Sequence, residues 1–384
     1  MIAKTDKMKR FYPLLALLLC SITLSAQQTL TGTITHDGIE RDYRIRVPVG
    51  AEGAPLIFNL HGFGSSAFEQ ELYSFMNTVA DTAGFFVCYP DGLGMQQAWN
   101  VGWEFGSQAD DVGFISALID TLAADYSIDT NRVYSCGMSN GGFMSYRLAC
   151  ELNDRIAAVA SVTGSMVPSY LPDCDPGKPV PVLEIHGTAD DVVAYEGTPP
   201  ISAPIPEVLD FWADNNGCAT EPVEEAVPDT DMSDATTATR VFFPDCEDGQ
   251  DVLHFRINGG GHTWPGSSIP VGVTNQDIEA SVEIWHFFRQ FTLDDVTNTT
   301  DELQAAQPVR VFPNPTSGPL YLDMDEAPRA VQLYDLSGRL LLRQEAFDRL
   351  QLHLGNLNAG VYLLEIYFSS GQRKTLKVIK KNGS

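Results

Sequence analysis

Lysine is almost absent from the middle of this 384-residue sequence. Residues 27–306 contain ten Lys and Arg residues, of which only Lys178 is a lysine, against 42 Asp and Glu residues. The formal charge of this segment is −32, and a field of that sign repels phosphate backbones, which argues against nucleic acid as a partner. Charged residues make up only 19% of the chain and hydrophobic residues 44%. This composition excludes disorder and coiled coil, and it supplies enough apolar residues for the hydrophobic cores of more than one domain.

Motifs for binding metals and phosphates are missing as well. The seven histidines are isolated from one another, and the sequence has neither a Cys-x-x-Cys nor a His-Glu-x-x-His pattern. The glycines at 259–261 lack the Lys-Ser/Thr that completes a phosphate-binding loop. We therefore expect chemistry without a metal or a cofactor.

The N-terminus has the pattern of a cleaved secretory signal peptide. Four basic residues among the first ten precede a mostly apolar run over residues 11–24, and small residues stand at 25 and 26. That run is too short to span a bilayer comfortably, and no later stretch reaches transmembrane length. We expect residues 1–26 to be removed and the mature protein to be soluble and extracytoplasmic. A lipid anchor on Cys20 is the alternative interpretation.

Residues 27–292 alternate short apolar runs with helical patterns, which predicts an α/β fold with a mostly parallel sheet. The predicted strands are residues 56–60, 85–89, 132–136, 157–160 and 182–186. The predicted helices are residues 67–83, 111–126, 141–150, 206–215 and 278–290. In such sheets the carboxyl ends of the strands carry the functional site.

The strongest chemical signal is Gly137-Met138-Ser139-Asn140-Gly141, directly after a predicted strand and before a predicted helix. A serine hydroxyl becomes a nucleophile when a base removes its proton and a tight turn holds its oxygen clear of the sheet. The flanking glycines permit that turn. Ser139 is therefore the predicted catalytic nucleophile.

This arrangement requires a histidine later in the chain, and His262 is the predicted base. It stands in the glycine-rich loop 259–266, from which an imidazole can reach a serine. His254 lies in a strand-like run and His286 on a helix, so both are interpreted as packing or surface residues.

Asp190 is the predicted acid, which accepts the other ring N–H of the histidine and stabilises the imidazolium. The choice over Asp191 rests on the His-Gly-x-x-Asp spacing. The oxyanion hole is predicted from the backbone N–H groups of Phe63 and Asn140, the latter being the residue after the nucleophile.

Together these residues resemble an α/β-hydrolase family that includes secreted polyhydroxybutyrate depolymerases and the feruloyl and acetylxylan esterases of carbohydrate esterase family one. The resemblance spans about residues 31–291 and is carried by Leu60-His-Gly, Tyr89-Pro-Asp-Gly92, Trp99-Asn100, Asp110-Asp-Val-Gly-Phe114, Arg132-Val-Tyr134, Gly137-Met-Ser-Asn-Gly-Gly142, His186-Gly-Thr-Ala-Asp190 and Gly259-Gly-Gly-His-Thr-Trp-Pro-Gly266. It implies a serine esterase of the α/β-hydrolase fold. Phe63 departs from the cysteine that depolymerase-type members often carry, which leaves polyester specificity open.

Aromatic side chains near these motifs are predicted to contact the substrate. They are Trp99, Trp103 and Trp264, together with Phe63. Trp264 is favoured because it lies two residues from His262.

The C-terminal part differs in composition and pattern. Residues 293–307 lack glycine, proline and aromatics and are interpreted as a linker, and residues 308–384 show short β-type runs typical of a small all-β sandwich. Phe312-Pro-Asn-Pro-Thr-Ser-Gly318, Val331-Gln-Leu-Tyr-Asp-Leu-Ser-Gly338 and Lys374-Thr-Leu-Lys-Val-Ile-Lys380 resemble the type A sorting domain of the type IX secretion system. The resemblance implies an address for export to the cell surface or medium, with the secretion machinery as partner. A carbohydrate-binding β-module is the alternative.

Six cysteines remain after the signal peptide, and secretion permits disulfides. We expect Cys150–Cys174 and Cys218–Cys246 among the fifteen possible connectivities, with Cys88 and Cys136 as buried thiols.

The sequence thus predicts a secreted serine esterase acting on esters of a polymer or oligomer through an acyl-enzyme on Ser139. Polyhydroxyalkanoate and a hydroxycinnamoyl- or acetyl-decorated polysaccharide both remain open as substrates. A serine peptidase of the same fold and a non-catalytic surface glycan-binding protein are the alternatives.

Overall fold

The computed structural model describes residues 27–269, 271–293, 310–314, 316, 319–323, 328–335, 339–344, 351–354, 357–367 and 373–381. The predicted signal peptide and all but the first residue of the predicted linker lie outside the described residues. The chain divides into two compact units, residues 1–299 and 300–384.

One ten-stranded sheet organises the first unit. Its strands are β1 Gln28–His36, β2 Ile39–Val47, β3 Leu56–Leu60, β4 Phe86–Pro90, β5 Val133–Met138, β6 Ala158–Val162, β7 Val182–Gly187, β8 Val223–Ala226, β9 Thr237–Phe243 and β10 Val252–Asn258. Its helices are α1 Ala67–Ser74, α2 Met76–Ala83, α3 Asp111–Tyr126, α4 Asn140–Glu151, α5 Ile205–Asn215 and α6 Ala280–Phe288.

The middle of the sheet is parallel, as predicted, and both of its ends are antiparallel. The strand order is β1-β2-β4-β3-β5-β6-β7-β10-β9-β8, with parallel pairing from β4 through β10. Apolar side chains of α3, α4 and α5 form one core on one face, and those of α1, α2 and α6 form another on the opposite face. Burial on both faces explains why the central strands are continuous apolar runs.

One predicted helix is wrong in its extent. Residues 67–83 form two helices, because Phe75 adopts a left-handed conformation with φ 53° between α1 and α2. A left-handed helical conformation at a bulky aromatic residue is uncommon, and the local sequence gives no signal for it. Among the described residues, no helix combines the length and apolar character needed to cross a membrane.

In the described residues of the second unit, every regular element is a β-strand, as the sequence predicted. Its strands are β11 Arg310–Phe312, β12 Pro319–Asp323, β13 Ala330–Asp335, β14 Leu340–Gln344, β15 Gln351–His353, β16 Gly360–Tyr367 and β17 Arg373–Lys380. They form a three-stranded sheet, β11-β12-β15, and a four-stranded sheet, β14-β13-β16-β17. Apolar residues of both sheets, among them Leu320 and Leu364, share one buried core.

Candidate active site

Ser139 occupies a strained turn between β5 and α4. Its backbone has φ 54° and ψ −122°, a combination that side-chain-bearing residues rarely adopt. The turn is held on both sides, because the Ser139 N–H donates to the Val162 carbonyl at 2.8 Å and the Ser139 carbonyl accepts from the Gly142 N–H at 2.8 Å. Such strain costs on the order of 1–3 kcal/mol and persists where the surrounding structure enforces it.

The glycines on either side of the turn are required by close backbone approach. A Cβ atom on Gly137 would lie 2.4 Å from the carbonyl carbon of Gly141, and one on Gly141 would lie 2.2 Å from the Leu60 carbonyl oxygen. Neither position has room for a side chain. The Gly-x-Ser-x-Gly spacing is therefore a packing requirement of this turn.

Asp190 and His262 meet although 72 residues separate them. Asp190 follows β7 and His262 follows β10, and these two strands are parallel neighbours, so both loops leave the same edge of the sheet as Ser139. The His262 Nδ1 lies 2.8 Å from the Asp190 Oδ2. The Asp190 Oδ1 accepts from the backbone N–H groups of Val192 and Val193, each at 2.9 Å.

These contacts keep Asp190 ionised. Burial alone raises its pKa, but the hydrogen bond from His262 and the charges of His262 and His186 outweigh burial and hold the pKa below its ordinary value. The neighbouring Asp191 is exposed and makes no hydrogen bond to His262 in the described part of the chain.

Ser139 and His262 are both half-buried. Within the described residues, no hydrogen bond joins the Ser139 hydroxyl to the His262 ring. Such bonds are often long without substrate and shorten in the reactive complex.

Two backbone N–H groups are available beside Ser139. Those of Phe63 and Asn140 donate no hydrogen bond within the described residues, Asn140 because it is the first residue of α4. The loop that carries Phe63 lies against the nucleophile, since a Cβ atom on Gly62 would be 3.4 Å from the Ser139 Cβ. The Gly64 N–H anchors this loop by donating to the Gln96 carbonyl at 2.8 Å.

His61 braces the same loop from the interior. Its Nδ1 donates to the Gly62 carbonyl at 2.8 Å, and its Nε2 accepts from the Gly92 N–H at 2.8 Å. Burial lowers the pKa of His61, so the ring is neutral and can fill both roles. The Trp99 indole N–H donates to the His61 carbonyl at 2.9 Å.

The three tryptophans predicted to contact substrate are placed differently. Trp99 and Trp264 are each 1% exposed, and the Trp264 indole N–H donates to the Ser281 hydroxyl. Their rings are packed in the two cores and present no face to solvent. Trp103 is half-buried, and its indole N–H donates to the Ile201 carbonyl at 3.0 Å.

Trp103 belongs to an aromatic cluster that includes Phe63, whose chain neighbour Gly62 lies against Ser139. Its ring stacks on Phe105 with centroids 5.1 Å apart and meets Phe143 of α4 edge-on at 5.0 Å. Phe63 completes the cluster, 6.1 Å from Phe105. Phe63 is 39% and Phe105 47% exposed, so the cluster offers an apolar surface to a ligand.

A buried ion pair that the sequence did not indicate supports the loop bearing this cluster. Arg41 of β2 donates to Asp111 of α3 at 2.7 Å, and both side chains are almost fully buried. The other Asp111 oxygen accepts from the Asn100 N–H at 2.7 Å. Arg41 and Asp111 are 70 positions apart, so no local sequence pattern could have predicted their contact. Phe105 was missed as well, because it lies in no recognisable sequence motif.

Four of the six described cysteines pair in two disulfides. These are Cys150–Cys174 and Cys218–Cys246, and Cys88 and Cys136 are buried free thiols. One group of described side chains has the spacing of metal ligands, namely His36, Asp37 and Asp110. Asp37 and Asp110 are exposed and His36 is half-buried, and Asp110 is already engaged as the N-cap of α3.

Two segments match known families. Residues 42–170, which include Ser139, match the family described as Esterase PHB depolymerase. Residues 310–381 match the family described as Secretion system C-terminal sorting domain.

Similar proteins are esterases. The chain is 32% identical over 300 residues to a putative esterase, NocK, of Nocardia uniformis subsp. tsuyamanensis, covering 71% of this chain and 85% of that protein. Feruloyl esterase D of Neurospora crassa is 30% identical over 290 residues, covering 70% of this chain and 88% of that protein. The bifunctional acetylxylan esterase/xylanase XynS20E of Neocallimastix patriciarum is 29% identical, and this chain spans 36% of its length.

A solved structure shares the fold. The acetyl xylan esterase from Aspergillus awamori superposes with a TM-score of 0.52 at 16% identity, covering 68% of this chain and 99% of that one.

Proposed function

Because this chain belongs to the secreted α/β-hydrolase esterases of the polyhydroxybutyrate depolymerase and feruloyl esterase type, and is a carboxylic ester hydrolase, we propose that Ser139, His262 and Asp190 are its catalytic triad. The observation that carries the proposal is the 2.8 Å contact between the His262 Nδ1 and the Asp190 Oδ2, at the sheet edge where Ser139 stands in its strained turn.

The reaction follows from the orientation of the imidazole. With its Nδ1–H donated to Asp190, His262 has a lone pair on Nε2 that takes the Ser139 hydroxyl proton. The Ser139 Oγ then forms a bond to the ester carbonyl carbon, and the alcohol leaves with the proton returned by His262. Water, deprotonated by the same nitrogen, attacks the acyl-enzyme and releases the acid.

Negative charge develops on the carbonyl oxygen in both steps. The N–H groups of Phe63 and Asn140 are unused within the described residues and flank Ser139, so we assign them to this oxyanion. The imidazolium that forms at the same time is stabilised by Asp190, which the surrounding contacts keep ionised.

The substrate class that we propose is a hydroxycinnamoyl ester of a polysaccharide. The aromatic cluster of Phe63, Trp103 and Phe105 presents apolar ring surface and includes the residue after Gly62, which lies against the nucleophile; such a surface suits a planar aryl acyl group. Similarity to a feruloyl esterase supports this choice.

An apolar polyester is the second candidate, favoured by a different surface. Phe68 and Leu72 are exposed and four residues apart on α1, so they lie on one side of the helix, and Phe75, directly after α1, is exposed as well. An apolar stripe of this kind suits adsorption to a polyester granule.

We also propose the division of the chain into segments for secretion and for catalysis. The signal peptide is residues 1–26, the esterase domain 27–292, the linker 293–307 and the sorting domain 308–384. The chain is secreted, and the partner of its sorting domain is the secretion machinery.

The deciding experiment compares turnover of methyl ferulate with clearing of poly(3-hydroxybutyrate) granules by the purified protein. Ser139→Ala serves as the blank, because it removes the nucleophile and keeps the backbone turn. Preferred ferulate hydrolysis supports the aryl pocket, and preferred clearing supports the polyester. Substantial ester hydrolysis by Ser139→Ala, in a variant that unfolds like the parent, rejects the triad.

A further inference from the structure

A row of buried polar side chains crosses the sheet behind the catalytic residues. Glu184 of β7 lies in register with Ser161 of β6 on one side and His254 of β10 on the other. His186 is two residues further along β7, so it projects from the same face as Glu184. Glu184 and His186 have no solvent-exposed side-chain surface.

Both ring nitrogens of His186 face acceptors. The Nε2 lies 2.8 Å from the Val193 carbonyl oxygen, which only accepts, so this nitrogen carries a proton. The same Nε2 is 3.4 Å from the Asp190 Oδ2, the oxygen that also accepts from His262. The Nδ1 is 2.9 Å from the Glu184 Oε1.

Burial raises the pKa of Glu184, and the hydrogen bond and charge of His186, together with the hydrogen bond from Tyr146, oppose that rise and favour the carboxylate. Its second oxygen, Oε2, accepts from the Tyr146 hydroxyl at 2.7 Å. The group that faces its first oxygen is the His186 ring, and a buried carboxylate needs a cation there. The one charge that satisfies both Glu184 and Asp190 is an imidazolium at His186.

The remaining groups around His186 do not compete for this role. The Tyr195 ring meets His186 edge-on at 5.9 Å, and the Tyr195 hydroxyl bonds to the His254 Nε2. Burial lowers the pKa of His254 to about 3, so His254 is neutral. Burial also lowers the pKa of His186, but its hydrogen bond to Glu184 and the charges of Glu184 and Asp190 outweigh burial and raise it.

We propose that Glu184 and His186 are positioning residues for the catalytic acid, Glu184 holding His186 as an imidazolium whose Nε2–H fixes the Asp190 Oδ2 toward His262. This inference rests on the proposed triad. It extends the chain of contacts from Ser139 and His262 through Asp190 to a second, fully buried carboxylate.

The arrangement has a defined effect on the reaction. Asp190 acts when His262 becomes positively charged, and it acts best when it is ionised and its Oδ2 is correctly aimed. The Val192 and Val193 N–H groups fix the Oδ1, and His186 fixes the Oδ2. Loss of the imidazolium therefore lowers kcat and leaves KM unchanged, because the ester does not contact either residue.

The test uses Glu184→Gln, which keeps the shape of the side chain and removes its charge. The matched control is His254→Gln, a change of an equally buried neighbour in the same row that bonds to the Glu184 backbone carbonyl and not to its carboxylate. Protonation of His186 is read at pH 7 from the nitrogen chemical shifts of ¹⁵N-histidine-labelled protein, with His186→Gln to assign the signal.

We expect both His186 nitrogens to be protonated in the parent protein and one in Glu184→Gln. We expect kcat on methyl ferulate to fall about tenfold in Glu184→Gln with KM unchanged, and to stay within twofold of the parent in His254→Gln. A neutral His186 in the parent, or equal kcat in the two variants, overturns the inference. If the triad assignment itself is wrong, a different result shows it, namely ester hydrolysis by Ser139→Ala.

Discussion

His262 shares its hydrogen bond with Asp190 and not with Asp191, although the two carboxylates are adjacent in sequence. The Asp190 Oδ2 lies 2.8 Å from the His262 Nδ1, and the Asp190 Oδ1 is fixed by two backbone N–H groups. Asp191 is exposed to solvent. Of two adjacent carboxylates in one loop, Asp190 is therefore bound to the histidine and Asp191 is solvated.

This difference predicts unequal effects of the same chemical change. Asp190→Asn removes the charge that stabilises the His262 imidazolium and allows the wrong ring tautomer, so kcat should fall on the order of 10⁴-fold. Asp191→Asn should leave kcat within twofold. Steady-state hydrolysis of methyl ferulate by the two variants provides the measurement. Equal losses in both variants would contradict the assignment of Asp190.

Much of this architecture was visible in the sequence. The apolar runs before Ser139 and Asp190 predicted parallel strands, and the α/β fold and the C-terminal β-region are confirmed. The site motifs were readable because each is local: a glycine-flanked serine after a strand, and a His-Gly-x-x-Asp at a strand end. The catalytic roles of Ser139, Asp190 and His262 stay predictions.

What the sequence could not supply depends on contacts between distant segments. In the sequence, Glu184 and His186 are only two residues of a predicted buried strand. Their polar neighbours become evident when the register of β7 with β6 and β10 is known. The burial of Trp264 was equally hidden, because its position two residues after His262 suggested substrate contact. Side-chain direction out of a loop is decided by packing, and no local pattern encodes it.

The aromatic cluster predicts a selective change in substrate affinity. Phe105→Ala removes an exposed ring that we expect to stack on the ferulate ring, a contact of about 0.5–1.5 kcal/mol, so KM for methyl ferulate should rise roughly threefold to tenfold. KM for p-nitrophenyl acetate, whose acyl group is too small to reach the ring, should change less than twofold. Phe68→Ala, which removes a similarly exposed ring from α1, is the control. An unchanged KM for methyl ferulate in Phe105→Ala would remove the cluster from the acyl pocket.

The buried ion pair predicts a large effect on stability. Asp111→Asn leaves the Arg41 guanidinium buried beside a neutral amide, which should lower the free energy of unfolding by about 3–5 kcal/mol. Asp110→Asn is the matched control, because Asp110 is half-exposed and asparagine caps a helix as well as aspartate. Its cost should stay below about 1 kcal/mol. Urea unfolding at pH 7, followed by tryptophan fluorescence, separates the two; similar midpoints would show that the pair contributes little.

His254 predicts how stability changes with pH. Its pKa is about 3 in the folded protein, against 6.5 for an ordinary histidine, because burial disfavours the charged form. Below pH 6.5 the unfolded chain binds a proton that the folded protein does not, so the free energy of unfolding falls by about 1.4 kcal/mol per pH unit until pH approaches 3.

The variant His254→Gln isolates this contribution, since glutamine does not titrate and can still donate to the Glu184 carbonyl and accept from the Tyr195 hydroxyl. Its stability relative to the parent protein should improve by about 2 kcal/mol between pH 6.5 and pH 5. Urea unfolding of both proteins at the two pH values measures the difference directly. Parallel loss of stability in the two proteins would mean that His254 takes up its proton in the folded state, and the row of polar residues behind the triad would then have to accommodate a second cation beside His186.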